Sequence, residues 1–405
     1  MSKKILIFSL VYYPSHVGGA EVAIKEITDR IDPKDIEFDM VCLRFDKNLP
    51  KVEKIGNVTV HRIGFTKDAP TMADLKKLPL HLNKLWFQFA ACCKAHKLNN
   101  KNNYDAVWAM MAHGAGIPAG LFKTFHSKVS YVLTLQEGDP IEYIKKKMLP
   151  LYPLFKRGFT KADIIQPIST FLASWARDMG FEGKTQIVPN AVNTAHFSQE
   201  YSEEELNKLK KELGKKVGEK YIITTSRLVH KNAIDDVIVA LTYLPEDVKF
   251  LVLGIGPDEE KLKTLAKEKG VEDRVLFIGQ IDHSVMPKYL KISDVFTRPS
   301  RSEGFGNSFI EAMAAGIPVV ATPAGGIVDF LFDTEKTPDK KPTGFLAEID
   351  DPKDLAKQLE RALTDKKLLA DIIPRAQKMA REKYDWDLIA ADMKTKVFEK
   401  VFKQV

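Results

Sequence analysis

The feature that most constrains the fold is an alternation in the second half of the chain. Short runs rich in Val, Ile, Leu and Phe stand at Tyr221–Leu228, Val248–Gly254, Val275–Gly279, Val295–Pro299 and Pro318–Thr322. Helical runs lie between them. Strand and helix in alternation call for a parallel sheet with right-handed crossovers. The first half repeats the theme, with strand-like runs at Lys4–Tyr12, Phe38–Arg44, Val58–Gly64, Asp105–Met110, Val129–Leu135 and Asp163–Ser169. A chain of 405 residues suffices for two ordinary domains. The expectation is an α/β chain of two Rossmann-like parallel-sheet domains facing a cleft, covering residues 1–200 and 201–383. The boundary is placed in Gln199–Lys220, a highly charged stretch with no apolar run.

The densest chemistry lies in Ser300–Pro318. An apolar strand ends in a loop carrying Glu303, Gly304, Phe305, Gly306 and Asn307. A helix is expected to open at about Ser308 and to stop at Gly316 and Pro318. Strand, glycine loop and helix N-terminus together make an anion site, because backbone N–H groups point at the ligand. Ser308 and Glu311 also have capping-box spacing, which alone would need no ligand. A second signal weighs against that plainer reading. Arg227 ends the first strand of the second half, and Lys231 follows four residues later. Two cations beside a glycine-rich helix start form a pyrophosphate clamp.

Glu303 and Glu311 are separated by seven residues, flanking the glycines. This arrangement resembles the signature of the family 4 retaining glycosyltransferases. The resemblance implies the GT-B architecture, in which the final helix, here about 384–403, packs back onto the N-terminal, acceptor-binding domain. It implies that Arg227 and Lys231 grip a nucleotide-sugar diphosphate. Glu311 would hold the ribose hydroxyls and Glu303 would lie near the donor sugar. Backbone amides of Gly304–Asn307 would meet the phosphates, with Gly325 and Gly326 at the cleft. Gly18 and Gly19, which follow the first strand, would lie near the donor phosphates and the acceptor. The six-residue dinucleotide fingerprint is absent there. Retention of anomeric configuration is likewise implied by the family alone. No double-displacement nucleophile is identifiable in the sequence.

His113 ends a strand, where open α/β sheets place ligand groups, and is taken as a catalytic candidate. Glu137 and Asp139 follow the next strand and are taken, with Gly19, as acceptor contacts. Several positions depart from the family pattern: Gln136 where a histidine is frequent, Ala191 and Asn193 where Asn-Gly-Val-Asp is usual, and His230-Lys231-Asn232 where Glu-Lys-Gly is frequent. No Asp-X-Asp stands at a strand end; Asp235–Asp236 and Asp350–Asp351 read as helix-start charges. No metal or cofactor is therefore expected, only a UDP-, GDP- or ADP-linked sugar as substrate and a lipid-linked or saccharide acceptor. The alternatives are an epimerase or phosphorylase-like enzyme on the same architecture, or a sugar-nucleotide binding protein without turnover.

The net charge of +7 is unevenly placed: Lys76–Lys161 holds 14 basic and 4 acidic residues. A solvated basic surface is one reading and peripheral contact with anionic lipid the other. Tyr143–Phe159 mixes lysines with apolar residues, although Pro150 and Pro153 interrupt any long helix. Leu82, Leu85, Trp86, Phe89 and Cys93 share one helical face and read as core. Nucleic-acid binding is disfavoured, since the positive stretch lacks stacking motifs. Three cysteines without ligand spacing, no signal peptide and no run of about 20 apolar residues fit a cytoplasmic protein.

Overall fold

The computed structural model describes residues 2–15, 18–71 and 74–403. The chain forms two compact units, Met1–Asn190 with Trp386–Val405, and Ala191–Asp385. The division falls just before the charged Gln199–Lys220 connection, which lies inside the second unit.

The first unit is built on a seven-stranded sheet: β1 Lys3–Phe8, β2 Ile36–Leu43, β3 Val52–Ile55, β4 Val58–Ile63, β5 Ala106–Met110, β6 Ser130–Leu135 and β7 Ile164–Pro167. Its order is β3-β4-β2-β1-β5-β6-β7, parallel except for β3 against β4. Strand β3 was missed because its four residues show little apolar character; the two-residue Gly56–Asn57 turn was the available signal. Central strands are buried on both faces, as in the Ile5–Phe8 run, which is why they read as continuous apolar stretches. Helices α1 (Gly19–Asp29), α2 (Asn83–Asn102), α3 (Ile117–Phe125), α4 (Ile141–Met148), α5 (Tyr152–Thr160) and α6 (Thr170–Asp178) connect them. Between α4 and α5 the chain makes a 3₁₀ turn at Leu149–Leu151, where Pro150 prevents a continuous helix.

The last twenty residues of the chain belong to this unit. They form helix at Trp386–Asp392, a π-helical segment at Met393–Phe398 and helix at Glu399–Phe402, not one regular helix. Phe398 is buried and packs edge-on against Trp108 at 5.2 Å and tilted against Phe38 at 6.0 Å.

One expectation is overturned here. The stripe Leu82, Leu85, Trp86, Phe89 and Cys93 faces solvent, not the core. Helix α2 instead buries Phe87, Gln88, Ala91, Ala95 and Leu98. Both faces carry apolar residues, so periodicity alone could not choose between them.

The second unit has a six-stranded parallel sheet: β8 Lys220–Thr225, β9 Val248–Leu253, β10 Val275–Gly279, β11 Val295–Arg298, β12 Val319–Ala321 and β13 Phe345–Leu346. Its order is β10-β9-β8-β11-β12-β13. Strand β13 has two residues, too few to carry a periodic signal. One face packs on a core that includes Ile222, Val237, Phe250, Val320, Leu355 and Leu359.

Candidate active site

In the second sheet the strand order reverses between β8 and β11. Parallel strands send all their C-terminal loops to one edge, and ligands bind where the order reverses. The loop after β8 carries Arg227 and Lys231; the loop after β11 carries Glu303 to Gly306. The fold thus brings the expected clamp and the expected glycine loop to neighbouring positions at the reversal point. The Arg301 amide donates to the Lys231 carbonyl at 2.7 Å, and the Gly326 amide donates to the Glu303 carbonyl at 3.1 Å.

Helix Asn307–Ala315 opens from Gly306, which is in the left-handed region (φ +95°) and supplies no side-chain cap. The Ser308–Glu311 capping box does not form, because the helix begins earlier and Ser308 lies in its first turn. The Ser308 hydroxyl is buried without a hydrogen-bond partner among the described residues. The amides of Asn307 and Ser308 likewise meet no acceptor among them. Unsatisfied donors at a helix N-terminus favour an anion.

Arg227 is exposed, and its guanidinium has no hydrogen bond or ion pair to the described residues. Its loop is rigidly held. Buried Asn232 donates to the Arg227 carbonyl at 2.7 Å and to Ser226 Oγ at 3.0 Å. The loop after β9 presses on it so closely that a Cβ at Gly256 would lie 2.1 Å from the Leu228 carbonyl oxygen. Sequence reading met Asn232 only as a departure from the family pattern and did not single out Gly256. The strand-end Gly254-Ile255-Gly256 was the available signal.

Glu303 is held by buried Arg298, and its other oxygen accepts from the Gly304 amide at 3.0 Å. Arg298 lies over the Phe309 ring at 4.6 Å. Glu311 lies in the second turn of the Asn307–Ala315 helix, and its Oε1 pairs with His283 Nε2 at 3.1 Å. Phe305 contributes only backbone to the loop; its ring is buried against Phe330 and Tyr384.

Arg298 and Arg301 were missed. Arg301 reaches Asp235 through both oxygens (2.9 and 3.0 Å), Asp236 at 3.0 Å, the His230 carbonyl at 2.8 Å, and Asp350. Asp235 and Asp236 therefore do more than start a helix; Asp351, by contrast, does cap one. Burial would lower the Arg301 pKa, but its bonds to Asp235 and Asp350 prevail and raise it. Burial pushes the Asp236 carboxyl up to about 6, against the charge of Arg301 and with that of Asp235. Burial also opposes ionisation of Asp235, but the hydrogen bonds from Arg301 prevail and lower its pKa.

The first sheet reverses its order between β1 and β5. Gly18 and Gly19 follow β1, and His113 follows β5, so these three candidates stand at that reversal point. Gly18 caps α1 in extended backbone (φ −127°), with its amide on the Glu21 carboxylate at 2.8 Å. His113 sits in a π-helical turn, Ala112–Gly116, entered through Met111 at φ +67°, a conformation L residues rarely adopt. Glu137 holds that turn: its carboxylate accepts from the Ala112 amide at 2.6 Å and from the Gln136 amide at 3.0 Å, and lies 3.4 Å from His113 Nδ1. The Glu137 side chain is fully buried, so it is a positioning residue and not an acceptor contact. Asp139 is half-buried. Two departures also find structural partners. Gln136 accepts from Asn190 at 3.1 Å, and Asn193 caps the next helix by accepting from the His196 amide at 2.9 Å, as an aspartate could.

Residues 17–196 match the family described as Glycosyltransferase Family 4, and residues 206–379 match Glycosyl transferases group 1. The chain is a family 4 glycosyltransferase. This glycosyltransferase is 25% identical over 390 residues to the N-acetyl-alpha-D-glucosaminyl L-malate synthase of Bacillus anthracis, covering 95% of this chain and 94% of that one. It is 29% identical to the alpha-monoglucosyldiacylglycerol synthase of Streptococcus pneumoniae over 245 residues, 58% of this chain and 55% of that one. Among solved structures, HepE of Anabaena in complex with UDP and glucose superposes with a TM-score of 0.74 at 21% identity, covering 98% and 100% of the two chains. The fold is GT-B.

Proposed function

We propose that this glycosyltransferase moves a sugar from a nucleoside-diphosphate donor to a lipid-linked or saccharide acceptor, with retention and without a metal. The observation that carries the reading is the convergence, at the β8/β11 reversal, of Arg227 and Lys231 with the open N-terminus of the Asn307–Ala315 helix. Breaking the bond from the anomeric carbon to phosphate oxygen puts negative charge on the departing diphosphate. Cations and amides fixed in advance lower the barrier to that step. Arg227, Lys231 and the Asn307 and Ser308 amides would stabilise the diphosphate. Glu311 would accept from the ribose hydroxyls, and Glu303, oriented by Arg298, from the sugar hydroxyls. Gly304–Gly306, Gly325 and Gly326 would let backbone approach the donor. In the first unit, Gly18, Gly19, His113 and Asp139 would serve the donor phosphates and acceptor. With Nδ1 turned to Glu137, the second ring nitrogen of His113 is left to meet substrate.

The names of the relatives, which include sugar transfer to malate and glycolipid synthesis, support a small or lipid acceptor. The HepE complex supports UDP as carrier. Among the described residues no helix is long and apolar enough to cross a membrane. A cytoplasmic enzyme meeting its acceptor at an anionic membrane through the basic 76–161 region fits these features.

Thermal shifts with UDP-, GDP- and ADP-sugars test the donor site. Ligand at about 100 times Kd should stabilise by about 2.7 kcal/mol. One nucleotide series should stabilise the wild type, with the shift lost in Arg227→Ala. Equal shifts in both proteins would remove Arg227 from the site. Transfer persisting in EDTA and an unchanged anomeric configuration by NMR would support the other two elements; loss of transfer in EDTA, or inversion, would refute them.

A further inference from the structure

Helix α2, with Leu82 in the turn just before it, exposes what its sequence would lead one to bury. Leu82 is 44% exposed, Leu85 53%, Trp86 38% and Phe89 45%, and Cys93 is exposed on the same face. Phe65, itself 39% exposed, extends the patch, its ring 5.5 Å from that of Trp86. A groove of about 440 Å³ runs along the helix, lined by Trp86, Phe89, Ala90, Cys93, Lys94 and Lys97. An apolar stripe this continuous on an outward helix face marks an interaction surface.

Its charge says what kind. From Leu75 to Tyr104 the sequence has six lysines and no carboxylate. The Lys84 amine is pushed down in pKa by its packing and, after that, by the charge of Lys147, so the patch is continuous with the basic face of α4. There Tyr143, Lys146, Lys147 and Leu149 are also exposed. A second copy of this face would oppose lysine to lysine. Aromatic and leucine side chains on a helix whose only charged side chains are lysines suit the headgroup layer of an anionic bilayer.

We propose that the outward face of α2 is the membrane-docking element. Leu82, Leu85, Trp86 and Phe89 enter the headgroup–acyl boundary, and Lys84, Lys94 and Lys97 meet lipid phosphates. This deepens the peripheral location proposed above and rests on that reading.

The tryptophans supply the test. Trp108, Trp175 and Trp386 are 0, 2 and 3% exposed, leaving Trp86 as the accessible indole. The full-length protein is titrated with phosphatidylglycerol–phosphatidylcholine vesicles, with and without brominated acyl chains. Brominated vesicles should quench emission, and Trp86→Phe should abolish the quench. Leu85→Gln with Phe89→Gln should lower vesicle partition by about tenfold or more. These surface substitutions should leave the donor-induced thermal shift intact. No quench, or a quench that survives Trp86→Phe, overturns the proposal. If neutralising Lys145, Lys146 and Lys147 abolishes partition while the quench is absent in wild type, the peripheral reading stands and the α2 assignment falls. If the wild type does not partition at all, both fall. A self-associated species that buries the stripe, seen by sedimentation velocity, would also overturn it.

Discussion

The two units each use a strand, a glycine turn and a helix at the point where strand order reverses, but the two turns are built differently. In the second unit the fold itself demands glycine. Gly306 has φ +95°, and a Cβ there would lie 2.4 Å from the Phe309 ring. The turn is also wired in place by Arg298 on Glu303 and by Arg301 on Asp235, Asp236 and Asp350. In the first unit's turn the described residues demand glycine far less. Gly18 is in extended backbone, where a Cβ would meet only the Glu21 carboxylate, at 3.1 Å, and a Cβ at Gly19 would have no described atom within 4 Å. Glycines that the protein does not need for its own geometry point to something that comes close from outside. One turn is rigid by construction; the other is kept bare.

The largest effect should come from Gly306→Ala. The left-handed backbone and the clash with Phe309 should cost roughly 2–4 kcal/mol, read from chemical denaturation, with donor binding lost as well. Unchanged stability would mean that the turn relaxes easily and the contrast is false. Arg301→Gln should come next, at about 2–3 kcal/mol, because it leaves buried Asp236 and half-buried Asp235 without their cation. A donor KM that rises along with the stability loss would show that the wiring positions Lys231 and Glu303. A normal KM would confine Arg301 to structure. Gly19→Ala should alter stability by less than about 0.5 kcal/mol, yet reduce kcat/KM by about tenfold. Full activity in that variant would leave the bare turn unexplained.

The wiring can also be sharpened through pH. Asp236 has its folded pKa raised from 3.8 to about 6 by burial. A raised carboxyl favours the folded state when protonated, so its contribution is present below about pH 4 and is lost as pH rises to about 6. Wild type should therefore lose stability relative to Asp236→Asn across that window, measured by denaturant midpoints at several pH values. A difference that grows the other way would mean that Arg301 outweighs burial at this carboxylate.

Some of this was legible in the sequence because it is local. Buried parallel strands write themselves as short apolar runs, and eleven of the thirteen strands among the described residues correspond to runs read in the sequence. The glycine loop and the two-glutamate spacing are also local patterns. What was misread depends on partners far along the chain. Glu137 stands beside Asp139 in a polar loop and looks available. Only the fold shows that its carboxylate is spent on the Ala112 amide, 25 residues away. Asp235 and Asp236 look like helix-start charges until Arg301, 66 residues on from Asp235, is seen between them.

The sequence alone determined the alternation of strand and helix, and so the parallel sheets and the placing of loops at their C-terminal edges. Periodicity and turn chemistry are properties of neighbouring residues, and they need no tertiary contact to be read. Tertiary structure alone decided which side of α2 meets water, because that helix carries apolar residues on both faces and the sheet beside it has room for one. It also decided which acids are committed to amides and arginines, since a buried charge takes whatever partner the packed chain delivers.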